Sequence, residues 1–112
     1  MNECLFCKII NHIIPADIVY EDQEVLAFRD IQPQDPIHLL IIPKQHITTL
    51  NELTDNSIAG KLLNTVQKLA AELNIANDGY RTVINCNQHG GQAVYHLHLH
   101  LLAGRQLQWP PG

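Results

Sequence analysis

The sequence predicts an α+β domain in which a five-stranded antiparallel sheet is combined with one long and one short helix. Two blocks of short β-type segments stand on either side of a single long amphipathic segment. Strands and helices do not alternate regularly, as a parallel sheet would require. The chain has 112 residues, a common length for one domain, so we expect residues 1–112 to fold as a single unit.

The first half of the chain contains the short helix and three strands. Apolar residues recur at helical spacing over residues 3–11, and Pro15 stops any helix. The β-type segments 18–20 and 25–28 are joined by a short polar turn, which predicts a hairpin. The apolar, β-branched run 37–42 predicts a third, central strand.

The second half contains the long helix and two further strands. Thr54 is the predicted N-cap, and apolar residues then follow one helical face as far as Leu73. The segments 80–85 and 94–102 predict the last two strands, which a loop joins. Prolines keep residues 109–112 out of any helix, so the sequence predicts an extended tail.

The charge balance argues against nucleic acid and membranes as partners. Seven Lys and Arg residues against eleven Asp and Glu give a net charge of −4, whereas both partners require a basic surface. The apolar runs fall far short of the ~20 residues that cross a bilayer, and the first residues lack the pattern of a signal peptide. We therefore expect a cytoplasmic, thiol-reducing location; three cysteines cannot all pair, and the spacing of Cys4 and Cys7 is that of a metal clip or redox pair more than of a secreted framework.

Seven histidines, as many as all lysines and arginines together, are the unusual feature of the composition. His96, His98 and His100 alternate with apolar residues, so on a strand all three imidazoles leave one face. Such a face could bind a metal, or one imidazole could be a nucleophile or base that its neighbours orient. The preceding loop, Gly90-Gly91-Gln92-Ala93, offers main-chain N–H groups to a phosphate, which favours the nucleophile.

The N-terminal pair Cys4 and Cys7 has two interpretations. These thiols are either two half-buried helix residues or the first half of a tetrahedral zinc site. Cys86 is predicted to lie mid-strand in the core. His12 and His89 are predicted to lie on the surface.

The run from Gly90 to Leu102 resembles the signature of the histidine triad superfamily, in which three histidines alternate with apolar residues. The resemblance extends over most of the chain and indicates the Hint branch, the purine nucleoside phosphoramidases. It implies a two-fold dimer with one continuous sheet, in which residues 103–112 form a tail near the partner's active site. The other segments that carry it are Lys8-Ile9-Ile10, Ile14-Pro15-Ala16, Phe28-Arg29-Asp30-Ile31, Pro36-Ile37-His38, Ile42-Pro43-Lys44, Gly104-Arg105 and Trp109-Pro110-Pro111-Gly112.

The resemblance implies hydrolysis of nucleoside 5′-phosphoramidates, which are AMP-linked amines, through a nucleotidyl-histidine. His98 would attack the phosphorus through Nε2, and His100 would bind the phosphate oxygens. His38 would buttress the site, and His96 completes the catalytic set. A neutral imidazole is a competent nucleophile near pH 7. The Nδ1–H of His98 then needs an acceptor, and we expect a nearby main-chain carbonyl.

The resemblance also implies a purine nucleotide pocket, with one departure. The best-known Hint-type pocket has a serine where this chain has Ala93, and alanine cannot deliver a proton. Departure of the amine would then depend on His100 or on water. The matching positions are Phe28 and Ile31 around the base, Asp30 on the ribose hydroxyls, and Asn85, Gly91, Gln92, Ala93, His98 and His100 at the phosphate.

For the cysteine pair, the resemblance implies that His46 and His96 complete a structural zinc site remote from the substrate. Catalysis would need no metal, because His98 rather than a metal-bound water is the nucleophile. Three alternatives stay open: a dinucleoside polyphosphate hydrolase of a sister branch, a non-catalytic zinc-stabilised nucleotide- or partner-binding protein, and a metallohydrolase whose triad holds the ion. The ending Trp-Pro-Pro-Gly favours the Hint branch.

Overall fold

Five antiparallel strands form one open sheet in the computed structural model, which describes residues 3–112. Each strand pairs with its neighbours in antiparallel register. The predicted antiparallel α+β fold is therefore confirmed. The strands are β1 (Ile18–Glu21), β2 (Val25–Arg29), β3 (Ile37–Pro43), β4 (Arg81–Val83) and β5 (Leu99–Ala103), and their order in the sheet is β1-β2-β3-β5-β4.

Helices cover both faces of the sheet, so its central strands are buried on both sides. The helices are α1 (Leu5–Ile10), α2 (Asn56–Glu72) and α3 (Asn87–Gly90). The apolar face of α2 packs with Leu97, Leu99 and Leu101 in the larger core cluster. On the opposite face, Phe6 and Ile9 of α1 form a smaller core cluster with alternate residues of β2 and β3. This smaller face carries the histidines described below.

Two helix predictions need correction. The N-cap of α2 is Asp55 rather than Thr54, because the Asp55 carboxylate accepts hydrogen bonds from the main-chain N–H groups of Ser57 and Ile58. The predicted loop 88–91 contains the short helix α3, which ends where Gly91 adopts a left-handed φ of 79°. Both differences are local, and neither alters the order of the strands.

The last two strands are shorter than predicted. Strand β4 ends at Val83, so Cys86 lies outside it, as the N-cap of α3, and the prediction that Cys86 lies mid-strand is wrong. Strand β5 begins only at Leu99, because the N–H of Leu97 donates to Ile47 O at 2.6 Å rather than joining the sheet. His96 and His98 therefore precede the strand.

The alternation of faces nevertheless holds through this irregular segment. Leu97 is fully buried in the core that α2 covers. The rings of His96 and His98 lie on the other face, with their centroids 5.9 and 5.2 Å from that of Phe6. The alternation of side chains between the two faces therefore survives here without the sheet's hydrogen bonds.

The C-terminal segment beyond β5 contains no helix and is tied back to the sheet. Arg105 is paired with the buried carboxylate of Asp35, and Arg81 Nη2 donates to Gln108 O at 2.9 Å. Gly104 has a φ of 102°, and a Cβ there would lie 2.8 Å from Pro36 Cβ, so only glycine fits. Between residues 3 and 112, no helix is both long and apolar enough to cross a membrane.

Candidate active site

A cavity of about 390 Å³ lies between α1, the end of β2 and the start of β5. Its polar lining includes Asp30, His98 and His100. An apolar pocket with a few convergent polar groups is typical of a small-molecule site. The apolar wall consists of Leu5, Phe6, Ile9, Ile14, Pro15, Ala16, Phe28, Ile31, Leu40, Ala93 and Val94.

His98 is buried, and one of its ring nitrogens is held by the main chain. Its Nδ1 lies 2.8 Å from His96 O. A carbonyl oxygen can only accept, so Nδ1 carries the proton and Nε2 keeps its lone pair. Burial lowers the pKa of His98 below its usual value. The neutral ring therefore presents an unprotonated Nε2 on the cavity wall.

His38 and His100 form a second, directional hydrogen-bond chain. The N–H of Gln34 donates to His38 Nδ1 at 3.0 Å, so the proton of the neutral His38 ring is on Nε2. This Nε2–H donates to His100 Nδ1 at 2.9 Å, which leaves the proton of His100 on Nε2. Within residues 3–112, His100 Nε2 is the one buried side-chain nitrogen or oxygen without a hydrogen-bond partner.

The unpartnered donor of His100 indicates that an acceptor is needed in the cavity. A buried polar group without a partner costs free energy that a bound ligand can recover. Burial, followed by the neighbouring histidines His98 and His38, lowers the pKa of His100 to about 4. Near neutral pH the cavity thus offers a lone pair and an N–H donor on neighbouring rings, whose centroids are 5.0 Å apart.

Asp30 and the predicted base-binding residues Phe28 and Ile31 line the cavity together with the histidines. Asp30 Oδ2 lies 3.4 Å from His38 Nε2, and its Oδ1 accepts from the N–H of Gln32. Phe28 is buried against Phe6, with ring centroids 5.5 Å apart, whereas Ile31 is 91% exposed at the rim. The structure thus gathers the predicted base and ribose residues beside the histidines.

The predicted phosphate residues are only partly on the cavity wall. Residues 87–93, which we term the glycine loop, run from α3 to the segment before His96. Ala93 lines the cavity, but Asn85, Gly91 and Gln92 are not among its lining residues. The side chain of Gln92 is buried within the loop instead.

Cys4, Cys7, His46 and His96, which we term the Cys/His cluster, bring four metal-binding atoms within 4.8 Å of one another. Cys7 Sγ lies 3.3 Å from His46 Nδ1 and 3.6 Å from His96 Nδ1. Cys4 Sγ lies 3.4 Å from the same nitrogen of His96. Residues from three distant parts of the sequence thus converge as the resemblance implies, and the cluster could hold a metal ion.

The protonation of the Cys/His cluster also suits a metal. His96 Nε2 lies 2.8 Å from Pro43 O, so it carries the proton and leaves the Nδ1 lone pair facing the sulfurs. Burial lowers the pKa of His96 to about 4, which keeps the ring neutral. Burial and then Cys4 raise the pKa of Cys7 to about 11, an effect that a cation would oppose.

The triad itself does not converge on one point. The unprotonated nitrogen of His96 belongs to the Cys/His cluster, whereas His98 and His100 face the cavity. Among residues 3–112, no group of potential metal-binding side chains contains all three triad histidines; the second such group is Asp30, His38 and His100. This arrangement speaks against an ion held by the triad.

Several contributors were not identified from the sequence. Phe6 and Leu40 line the cavity, but their apolar spacing predicted only core positions. The main-chain groups of Gln34 and Pro43 orient two histidine rings. Main-chain donors and acceptors are common to nearly all residues, so no side-chain pattern could have indicated them. His12 and His89 are exposed, as predicted.

Comparisons with known proteins by sequence profile, by sequence and by structure all find the same family. The sequence profile of the HIT domain family matches residues 11–107. An uncharacterized HIT-like protein of Synechococcus elongatus is 56% identical over 112 residues, which cover 98% of this chain and 97% of that protein. The purine nucleoside phosphoramidase of Escherichia coli is 50% identical over 107 residues, covering 94% and 90% respectively. The crystal structure of a HIT family hydrolase from Legionella pneumophila matches with a TM-score of 0.96 and 54% identity, covering 98% and 100%.

Proposed function

This chain belongs to the HIT domain family, and we propose that it is a hydrolase that cleaves nucleoside 5′-phosphoramidates. The proposal depends on one observation, which is that two neighbouring imidazole rings offer a lone pair and an N–H donor to the same cavity. His98 presents an unprotonated Nε2, and His100 presents an unpartnered Nε2–H, on the wall of one cavity. The name of the Escherichia coli relative supports the P–N bond as the bond that is cleaved.

In the first step, the Nε2 lone pair of His98 forms a bond to the α-phosphorus, and the phosphorus–nitrogen bond to the amine breaks. The amine departs with the electron pair of that bond and takes its proton from water. Ala93 has no group that could supply this proton. In the second step, water adds to phosphorus and loses a proton to solvent, and the bond to Nε2 breaks. The nucleoside monophosphate is released and His98 is regenerated.

The remaining site residues bind and orient the nucleotide. The Nε2–H of His100 donates to a phosphate oxygen, and His38 fixes the proton of His100 on that nitrogen. Phe28 and Ile31 hold the purine base, and Asp30 accepts from the ribose hydroxyls. Ala93, on the cavity wall, meets the phosphate together with main-chain N–H groups of the glycine loop, which includes Gly91 and Gln92; Asn85 lies just before that loop and outside the wall.

We assign the Cys/His cluster to a structural zinc ion. Two thiolates and two imidazoles are a preferred ligand set for tetrahedral zinc, and a closed set of four protein ligands leaves no position for a catalytic water. The cluster joins α1 to the segment before β5, so metal binding stabilises the fold. A reducing, cytoplasmic location keeps Cys4 and Cys7 as free thiols able to bind it.

We also propose a two-fold dimer with a continuous sheet. Edge strands leave main-chain groups unpaired, and pairing between two copies covers them. Strand β4 is one edge of the sheet, and Arg81 within it holds Gln108 of the tail. Pairing at this edge therefore brings residues 103–112, including the 81% exposed Trp109, close to the partner. Sedimentation of the protein as a single chain at micromolar concentration would contradict the dimer.

The decisive experiment compares two substrates. We expect turnover of an AMP–amine conjugate to exceed that of diadenosine polyphosphate by at least ~10²-fold in kcat/KM, a difference of ~3 kcal/mol. The reverse preference would assign the protein to the dinucleoside polyphosphate hydrolases. If the protein turns over neither substrate but binds AMP measurably, it is a nucleotide-binding protein without this catalytic activity.

A further inference from the structure

The side chain of Gln92 is turned away from the cavity and is fully engaged by the main chain. It is only 8% exposed. Its Nε2 donates to Thr48 O at 2.8 Å and to Val94 O at 3.1 Å, and its Oε1 accepts from the N–H of Asn87 at 2.9 Å. Because an amide nitrogen has two hydrogens, no donor of this side chain is left for a ligand.

The glycine loop that Gln92 holds contains two residues with a left-handed backbone conformation. Gly91 has a φ of 79°, which glycine tolerates, but Asn87 has a φ of 59° and carries a side chain. A left-handed conformation costs a residue with a Cβ roughly 1 kcal/mol. The N–H of Gln92 also donates to Asn87 O at 3.1 Å, so residues 87 and 92 are joined in both directions. These two hydrogen bonds tie Asn87 to Gln92 and so close the segment between them into a loop.

The side-chain amide of Gln92 also connects the glycine loop to the cavity wall. Val94, whose carbonyl it binds, lines the cavity with Ala93, His98 and His100. Thr48, the other carbonyl partner, lies in the segment after β3, which is distant in sequence. Gln92 thus joins the segment after β3 to two points of its own segment, Asn87 and Val94, next to the residues that face the ligand. Buried amides with several main-chain partners fix local backbone geometry.

We propose that Gln92 is a positioning residue, which holds the N–H groups of the glycine loop in place for the nucleotide phosphate without contacting the phosphate through its side chain. The proposal rests on the proposed function, because the loop must meet a phosphate. It differs from a phosphate-binding role for the Gln92 side chain, which would require the amide to abandon Thr48 and Val94.

The test compares Gln92→Met, which keeps the length of the side chain, with Thr65→Val as a matched control. Thr65 is also buried, and its hydroxyl donates to Lys61 O within α2. Calorimetry would measure the affinities of AMP and adenosine, and native-state hydrogen exchange would measure opening at the Asn87 amide in the ligand-free protein. If Gln92→Met does not fold, Gln92→Asn serves instead, since it keeps the amide but is one methylene too short.

We expect Gln92→Met to weaken AMP binding ~10-fold while the affinity of adenosine changes less than about two-fold. Exchange of the Asn87 amide should accelerate at least ~10-fold without ligand. Thr65→Val should leave both affinities unchanged. Equal losses for AMP and adenosine, or no loss, would overturn the proposal.

A loss for AMP with unchanged exchange at Asn87 would also overturn it, because the side chain would then reach the phosphate itself. If the wild-type protein fails to bind AMP, the proposed function is wrong. The exchange rate of Asn87 then still decides whether Gln92 holds the loop.

Discussion

His96 and His98 are two residues apart on the same face of the chain, yet the structure presents opposite nitrogens of their rings. His96 donates through Nε2 to Pro43 O, so its Nδ1 lone pair faces the thiols of Cys4 and Cys7. His98 donates through Nδ1 to His96 O, so its Nε2 lone pair faces the cavity. The positions of two carbonyl oxygens therefore decide which nitrogen each ring leaves unprotonated, and so the metal-binding role proposed for His96 and the nucleophilic role proposed for His98.

This comparison shows that a repeated residue type does not imply a repeated role. Both rings are buried, both have lowered pKa values because of burial, and both pack against Phe6. Only their main-chain acceptors differ. The two sites are also linked, since the carbonyl that orients His98 belongs to His96. The predictions below test whether the two roles can be separated.

The largest effect is expected for His98→Gly. We expect kcat/KM with an AMP–amine conjugate to fall ~10⁴-fold or more, because no other lone pair replaces Nε2. Zinc content and AMP binding should persist. Elemental analysis would measure zinc content, calorimetry AMP binding and steady-state kinetics turnover, with His12→Gly as the control at an exposed histidine. Unchanged turnover would exclude His98 as the nucleophile.

The next effect is expected for the double variant Cys4→Ser, Cys7→Ser. Loss of the metal should lower the free energy of unfolding by roughly 4 kcal/mol, because metal binding and folding are coupled. Turnover per folded molecule should stay within about two-fold. Chemical denaturation and metal analysis would test this, with Cys86→Ser as the control. Zinc retained at one ion per chain would place the ion elsewhere, contrary to the role assigned to His96.

A smaller effect is expected at His38, which fixes the proton of His100. His38→Leu should lower kcat/KM ~10²-fold, because His100 Nδ1 loses its donor and the ring can change tautomer. His38→Gln places an amide N–H near the lost Nε2–H, and it should recover most of that activity. Equal losses in the two variants would show that His38 contributes packing rather than proton placement.

The stability of the fold should also depend on pH through His100. Its pKa is about 4 in the folded protein and 6.5 as the ordinary value, so the unfolded chain binds more protons between these limits. The contribution of the neutral His100 ring to the free energy of unfolding is therefore complete above pH 6.5, and it is lost as the pH falls from 6.5 towards 4. Because His100 is partly exposed and solvent weakens the effect, we expect the free energy of unfolding to fall by an amount on the order of 2 kcal/mol. His100→Asn should flatten the pH dependence of unfolding, and an unchanged slope would contradict the assignment.

The smallest effect is expected at Phe6, the residue that both rings contact. Phe6→Leu should cost about 1 kcal/mol of stability, because the edge contacts to His96 and His98 are lost while apolar volume is mostly kept. Zinc content and the AMP dissociation constant should change together but weakly. A change in only one of the two would show that Phe6 supports one site and not the other.

The sequence predicted the fold because its signals are local. The apolar stripe of α2, the hairpin of β1 and β2 and the β-branched run of β3 all depend on spacing along a few turns or residues. At the start of α2 the prediction failed because two local solutions are nearly equal. Thr54 and Asp55 are both good N-caps, and only the position of the helix in the structure selects Asp55.

The early part of the predicted last strand failed for a different reason. Val94 to His98 has the alternation of a strand, but its main chain bonds elsewhere, as Leu97 does with Ile47. Alternation depends on side chains, whereas membership of a sheet depends on which main-chain partner is adjacent. The glycine loop also shows that main-chain partners cannot be predicted from side chains. The sequence predicts Gln92 at the phosphate, whereas in the structure its side-chain amide binds the main chain.

The sequence by itself determined that the three triad imidazoles lie on one face of the chain, opposite the larger core. Histidines alternating with leucines place the imidazoles opposite the core, since apolar burial follows residue type. Only the tertiary structure decided which nitrogen each imidazole presents. Pro43 O and the N–H of Gln34 come from other parts of the chain to orient His96 and His38. Main-chain groups are the same for nearly every residue, so their positions are known only once the chain has folded.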